Sequence, residues 1–175
     1  ATPVHSPDAA LETPASRESL RALTPIAGLR TPVHALTLTR ESRRSSELVD
    51  SHVCLRGLPA GSILDAGHGA YVSSPALTFL QMAGLLNVHE LILLGYELCG
   101  LYAPPLPQTT RLLQRPQPLA TIAELKRLLA LMPGVHGRKA AARALKYVGE
   151  QARSPMESLG SMFVGLPRLL GGRGI

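Results

Sequence analysis

Residues 71–83 read YVSSPALTFLQMA, and within them the sequence changes from a strand-like to a helix-like pattern. Ser74 is a favoured N-cap residue, and Pro75 suits the first helical position, where a backbone N–H has no intrahelical acceptor. Apolar residues then recur at helical spacing, namely Ala76, Phe79, Leu80 and Ala83. The stretch therefore predicts a helix that begins at Pro75 and buries one face.

The residues before this point favour short strands. Val33 to Thr39 (VHALTLT) and Leu48 to Leu55 (LVDSHVCL) are rich in apolar and β-branched residues. Two more short segments flank the turn Gly67-His68-Gly69, an arrangement that is typical of a hairpin. Together these segments predict a small, mostly antiparallel sheet over about residues 33–73.

The residues after this point favour helices. Three later helix starts carry a capping residue with a glutamate three positions on, which is the spacing of a capping box. The pairs are Asn87 with Glu90, Thr121 with Glu124, and Ser154 with Glu157. Apolar residues follow each start at helical spacing, so the sequence predicts a helical region over about residues 75–166 and an α+β fold class.

Composition divides the chain into four parts. Residues 1–19 mix Pro, Ser, Thr, Ala and Glu without an apolar period and are predicted to be a flexible lead-in. Residues 20–103 form the predicted small α+β domain. Residues 104–118 contain five prolines and are predicted to be an extended connector. Residues 119–175 form a basic helical region.

The positive charge is concentrated near the C-terminal end. The chain carries a net charge of +6, and from residue 126 onward there are nine Lys or Arg against two Glu, a local net charge of +7. On the helix predicted over Arg138 to Val148, Lys139, Arg143 and Lys146 share one side, and Arg138 stands at the start. Such a row suits the phosphates of a duplex, and the alternative is a solvated helix face without a partner.

The sequence contains no complete catalytic motif. No G-x-S-x-G nucleophile elbow is present, and no P-loop or G-x-G-x-x-G follows a predicted strand. The six histidines are scattered without zinc-site spacing, although His34 and His52 can be neighbours across a strand pair. We therefore expect no metal site, and structural roles for the histidines.

The cysteines and the hydropathy of the chain indicate its cellular compartment. Cys54 and Cys99 each lie in an apolar stretch and are predicted to be reduced, buried thiols. The longest apolar run, Leu91 to Leu94, is too short to cross a membrane, and no signal peptide is visible. A cytoplasmic protein without a membrane partner is expected.

Several segments resemble known families. Residues 71–83 resemble a segment of bacterial abortive-infection-type antitoxins, in which a strand ends in S-P and runs into a helix. Residues 90–102 (ELILLGYELCGLY) and 152–158 (ARSPMES), with Leu166-Pro167 and Gly171-Gly172, resemble the N-terminal region of a set of actinobacterial proteins. In that set these segments lead into a nuclease domain similar to very-short-patch-repair endonucleases, with the PD-(D/E)XK fold.

The resemblance implies a role for Glu157, as the glutamate of the first helix of the nuclease core. The Asp and the Glu-x-Lys that bind metal and activate water would follow Gly171-Gly172, whereas the sequence given ends at Ile175. We therefore expect a truncated or absent nuclease core, no cofactor in the chain as given, and Mg²⁺ only where such a core follows. A capping box explains Glu157 without any catalysis.

The sequence and the resemblance are compatible with three alternative functions. The first is a non-catalytic, DNA-associated module of a bacterial endonuclease-like defence protein, which binds duplex DNA through the basic helix and is not itself an enzyme. The second is an antitoxin or transcriptional regulator that binds a toxin and DNA. The third is an endonuclease whose active site is completed by further sequence or by another chain.

Overall fold

The computed structural model describes residues 31–54, 56–67, 70–103 and 112–175. The mixed α+β class predicted from the sequence is confirmed. The elements in chain order are β1 (Val33–Thr37), β2 (Val49–Val53), β3 (Ile63–Gly67), β4 (Ala70–Ser73), α1 (Pro75–Met82), α2 (Val88–Cys99), β5 (Tyr102–Ala103), β6 (Leu113–Gln114), α3 (Ile122–Leu131), α4 (Arg138–Ala144), α5 (Pro155–Gly165) and a 3₁₀ turn (Arg168–Leu170).

Two compact units make up the chain. The first unit ends at Val72 and the second begins at Ser73, next to the start of α1. The division at the connector 104–118 stays a prediction. The helices before and after that connector pack on each other, α1 against α3 and α2 against α4, because their apolar faces are complementary. The predicted lead-in 1–19 lies outside the described residues.

The strands form three two-stranded sheets, β1–β2, β3–β4 and β5–β6, rather than one mostly antiparallel sheet. β5 and β6 are antiparallel, but β1 and β2 are parallel, with Val33 opposite Val49. The prediction of antiparallel pairing was therefore wrong for the first pair. The charged loop 38–48, which connects β1 to β2, does not form a hairpin turn. It runs back along the strand pair to the start of β1, where the Val33 N–H donates to the Leu48 carbonyl at 2.8 Å.

Ser51 holds this returning loop in place. Its hydroxyl donates to the Arg44 carbonyl at 2.6 Å and accepts from the Arg44 N–H, and the Ser51 N–H also donates to that carbonyl at 2.9 Å. Ser51 and Val49 are buried on one face of β2, whereas His52 is exposed on the other. Side chains along a strand alternate between faces, so β1 and β2 present a solvent-facing surface through the remaining positions.

The capping boxes of α2 and α3 form as predicted. The Asn87 side chain accepts from the Glu90 N–H at 3.1 Å, and the Glu90 carboxylate accepts from the Asn87 N–H at 2.9 Å. Thr121 and Glu124 make the same two hydrogen bonds at 3.2 and 2.8 Å. Each box satisfies backbone donors that have no intrahelical partner, so these two helix starts are fixed by local sequence.

The core of the second unit lies among α1 to α4 and is mostly aliphatic, with a few buried aromatic rings. Its fully buried apolar side chains include Leu77, Phe79, Leu80, Leu91, Ile92 and Leu125. Gly95 of α2 lies against Val148, and a side chain at Gly95 would overlap the Val148 methyl groups. The absence of a side chain there lets α2 approach the residues that follow α4. No described helix has the length and apolarity that a bilayer span requires.

Candidate nucleic-acid interface

The turn between α3 and α4 fixes where the basic helix lies. It contains two glycines with positive φ, Gly134 at 72° and Gly137 at 81°, a backbone region that side-chain-bearing residues rarely adopt. Gly137 also packs tightly: a Cβ there would lie 2.8 Å from the backbone of Ala83 and Gly84. The start of α4 is therefore held against the end of α1, and its orientation follows from that contact.

Arg138 has a structural role that could not be predicted from the sequence. Its Nε donates to the Leu129 carbonyl at 2.6 Å, in a partly buried position. Leu129 lies in the last turn of α3, where carbonyl groups have no intrahelical donor. The guanidinium therefore closes the end of α3, and it is less free to reach a ligand than the other three predicted cations.

Those three cations, Lys139, Arg143 and Lys146, are all exposed and are called the basic row. The opposite side of the same segment is buried at Ala141, Ala144, Leu145 and Val148, as predicted. α4 itself ends at Ala144, and Lys146 belongs to the tight turn that follows. Within the described ranges, no carboxylate lies within ion-pairing distance of the basic row, so its charge is not neutralised by this part of the chain.

A groove of about 360 Å³ lies between α3 and α4. We call it the α3–α4 groove, and its lining residues are Lys126, Leu129, Ala130, Arg138, Ala142, Leu145 and Lys146. The floor is apolar and the charged lining residues are all cationic. Lys126 was not among the predicted site residues. It stands on α3, twelve positions before Arg138, and only the packing of α3 on α4 brings it to the same groove.

Two carboxylates, those of Glu124 and Glu150, are engaged at the start of α3. The Glu150 carboxylate accepts from the Ile122 N–H at 2.6 Å. Hydrogen bonds from the backbone N–H and then the hydroxyl of Thr121 lower the pKa of Glu124, so its negative charge is retained at the start of the helix. Both carboxylates thus stabilise the positive end of the α3 dipole. The cationic groove lies toward the opposite end.

Glu157, the predicted catalytic residue, is exposed in the first turn of α5. Its carboxylate accepts from the Arg153 N–H at 2.8 Å, and its own N–H donates to the Ser154 hydroxyl at 3.2 Å. The glutamate thus bonds to the residue before the N-cap rather than to the N-cap itself. Among the described residues it belongs to no cluster of three groups able to ligate a metal.

A different set of such groups meets in the first unit. His34, Asp50 and His52 place their ligating atoms within 4.8 Å of one another. The sequence indicates that the two histidines can be neighbours, but no metal site was predicted. The sequence did not reveal this cluster because its three residues come from two strands. The parallel register of those strands cannot be inferred from residue spacing.

The chain has no match among protein-family models, among curated proteins or among solved structures. The charges and contacts described above are therefore the observations that bear on function.

Proposed function

We propose that the chain is a non-catalytic module that binds duplex DNA through the α3–α4 groove and the basic row. The observation that carries the proposal is the convergence of Lys126 and Lys146 on one groove whose lining contains no carboxylate. Cations from separate elements that meet without counter-charges favour a polyanionic ligand. The resemblance of about residues 30–175 to endonuclease-like proteins supports placing this module in a cytoplasmic bacterial defence protein.

The spacing of the basic row supports a phosphate backbone as the ligand. Lys139 and Arg143 are four residues apart on α4, which is about 6 Å along a helix axis. A DNA strand presents one phosphate per about 3.4 Å of duplex axis, so these side chains can reach phosphates about two steps apart. Contacts of this kind position a protein on DNA without reading its sequence.

Duplex rather than single-stranded DNA is favoured by the absence of a stacking surface at the groove. The lining residues are Leu, Ala, Lys and Arg, and aromatic residues make up only 3% of the chain. Proteins that hold single strands usually stack bases on aromatic side chains. The groove offers charge and aliphatic contact, which suit a backbone and its sugars.

The test is duplex affinity measured against salt concentration by fluorescence anisotropy. Neutralising about three or four phosphates gives a slope of log K against log salt of about −3 to −4. The variant Lys139→Ala/Arg143→Ala/Lys146→Ala should lose about three units of that slope, and Lys126→Ala alone about one. The matched control is Arg153→Ala/Arg168→Ala/Arg173→Ala, which removes the same charge from the same unit.

The two triple variants decide the outcome. Weaker binding and a flatter slope in the basic-row variant, with the control close to the parent, support the groove as the binding site. Equal losses in both variants would show that net charge alone drives binding. Absence of measurable affinity at low salt in the parent would rule out the proposal.

The same duplex samples address the nuclease alternative. Mg²⁺-dependent nicking by the purified chain, abolished in Glu157→Gln, would make the protein an enzyme and overturn the non-catalytic assignment. We expect no nicking, because the Glu157 carboxylate is engaged by the Arg153 N–H.

A further inference from the structure

The first unit carries a cluster of three potential metal ligands on the exposed face of its parallel strand pair. In the register of β1 and β2, His34 lies opposite Asp50, and His52 lies two residues beyond Asp50 on β2. Residues two apart on a strand project from the same face, and paired residues on neighbouring strands are adjacent. The fold therefore gathers two imidazoles and one carboxylate at one place.

The two imidazoles already direct nitrogen atoms at a common point. His34 Nδ1 lies 2.8 Å from His52 Nε2, and the ring centroids are 5.1 Å apart with an angle of 27° between the rings. At this separation one nitrogen donates and the other accepts, so a single proton occupies the space between them. A metal ion that takes the place of that proton finds both nitrogen lone pairs aimed at it.

The third group is not committed elsewhere in the described residues. Within them the Asp50 carboxylate accepts no hydrogen bond and has no Lys or Arg within ion-pairing distance. Asp50 is half-buried, whereas both histidines are exposed. Ligation by Asp50 therefore disrupts no contact in that part of the chain, and the exposed rings can adjust their positions.

We propose that His34, Asp50 and His52 bind a divalent transition metal ion of the zinc class. Two imidazole nitrogens and one carboxylate oxygen suit Zn²⁺, Co²⁺ or Ni²⁺, whereas Mg²⁺ and Ca²⁺ require six or more oxygen ligands. Tetrahedral Zn²⁺ with bonds of about 2.05 Å holds two nitrogens about 3.3 Å apart, so the rings need to separate by about half an ångström. Water completes the coordination.

Bound metal joins β1 to β2 directly. The two ligands on β2 and the one on β1 come from two strands that the loop 38–48 separates in the chain. Because metal binds the paired strands and not the separated ones, it stabilises the first unit by mass action. This proposal is independent of DNA binding, which uses residues of the second unit.

The experiment titrates the metal-free 175-residue chain with Zn²⁺ by calorimetry and with Co²⁺ by visible absorption. We expect one equivalent of Zn²⁺ to bind, intense absorption typical of four-coordinate Co²⁺, and a higher melting temperature with Zn²⁺ but not with Mg²⁺. His34→Gln, Asp50→Asn and His52→Gln should each weaken Zn²⁺ binding by at least about tenfold. His136→Gln, which alters an exposed histidine of the second unit, is the matched control.

Two results would overturn the proposal. One is Zn²⁺ affinity that is the same in the parent and in His34→Gln/His52→Gln. The other is the absence of binding in the parent at micromolar Zn²⁺. A second measurement does not depend on the variants folding: in the parent, Zn²⁺ must shift the ring-proton resonances of two of the six histidines. Unchanged resonances would contradict the site.

Discussion

The Nε of Arg138 donates to the carbonyl oxygen of Leu129 at 2.6 Å. This hydrogen bond joins the first residue of α4 to the last turn of α3, and it gives one of the four predicted DNA-binding cations a structural role. The angle at which the basic row faces solvent depends on this junction. Replacement of Arg138 should therefore affect mainly stability, whereas replacement of the basic row should affect mainly ligand binding.

Replacement of Arg138 by alanine should lower the stability of the second unit. Loss of a charged hydrogen bond to a partly buried carbonyl costs about 1.5–3 kcal/mol. Lys139→Ala, at the neighbouring exposed position, should change the free energy of unfolding by less than about 0.5 kcal/mol. Urea unfolding followed by circular dichroism measures both. Equal midpoints for the two variants would contradict the role assigned to Arg138.

Alanine at Gly95 should destabilise the protein although alanine is the better helix former. The intrinsic gain of about 1 kcal/mol is opposed by overlap with Val148, and overpacking of a core costs about 1–3 kcal/mol. Gly160→Ala is the control, because Gly160 lies within α5 and a Cβ there meets no atom within 4 Å. It should stabilise. If Val148→Ala failed to reduce the cost of Gly95→Ala, the overlap would not be its cause.

The two cysteines should differ sharply in reactivity. Burial raises the pKa of the Cys99 thiol to about 12, with the Glu150 and Glu124 carboxylates adding to the shift. A raised pKa keeps Cys99 protonated, and therefore unreactive, at pH 7–9. Cys54 is half-buried. Titration with a thiol reagent should label one equivalent rapidly in the native protein and two after denaturation.

Variants identify which thiol reacts. Cys54→Ser should abolish the rapid phase, and Cys99→Ser should leave it intact. Rapid labelling of Cys99 in the native protein would show that α2 opens readily at its C-terminal end.

The capping box of α3 should make a contribution to stability that depends on pH. The pKa of Glu124 is lowered by the backbone N–H and then the hydroxyl of Thr121, so the folded protein retains this charge to lower pH than the unfolded chain. A lowered folded-state pKa contributes stability above the unfolded pKa of about 4.5, and that stability is lost as pH falls through the folded value. Glu124→Gln should therefore be less stable than the parent at pH 7, and the difference should shrink as the pH falls below about 4.5.

The size of this effect is limited because Glu124 is exposed, and caps of this kind contribute about 1 kcal/mol. Thermal unfolding at several pH values measures it. In a Thr121→Ala background the Glu124→Gln effect should become smaller because the hydroxyl is lost, but it should persist because the backbone N–H of residue 121 still donates to the carboxylate. A Glu124→Gln difference that stayed constant as the pH fell through the acid range would contradict the assignment.

Features that depend on neighbouring residues could be predicted from the sequence. Ser74, Asn87 and Thr121 mark helix starts that the structure bears out, because a cap is made within four residues. The buried stripe through Ala141 and Ala144 follows equally from periodicity.

Features that depend on distant residues could not be predicted. The loop between β1 and β2 sets the parallel register that places His34 opposite Asp50. The sequence of that loop does not distinguish it from an ordinary charged connection. Lys126 reaches the α3–α4 groove only because two helices pack together. Arg138 looked like its basic neighbours, and its bond to Leu129 appears only once the turn geometry is known.

The parallel register of β1 and β2 also governs how the pair can assemble. Each of the five paired positions joins residues sixteen apart, from Val33 with Val49 to Thr37 with Val53. In a hairpin, the pair of residues nearest the turn can form first and the other pairs can follow one by one. In this parallel pair, every paired position closes a loop of the same length. The first contact therefore bears the whole closure entropy, about 2.5 kcal/mol beyond a constant, and the remaining pairs add little further closure entropy. The pair should form and melt in a single all-or-none step, without a half-zipped intermediate.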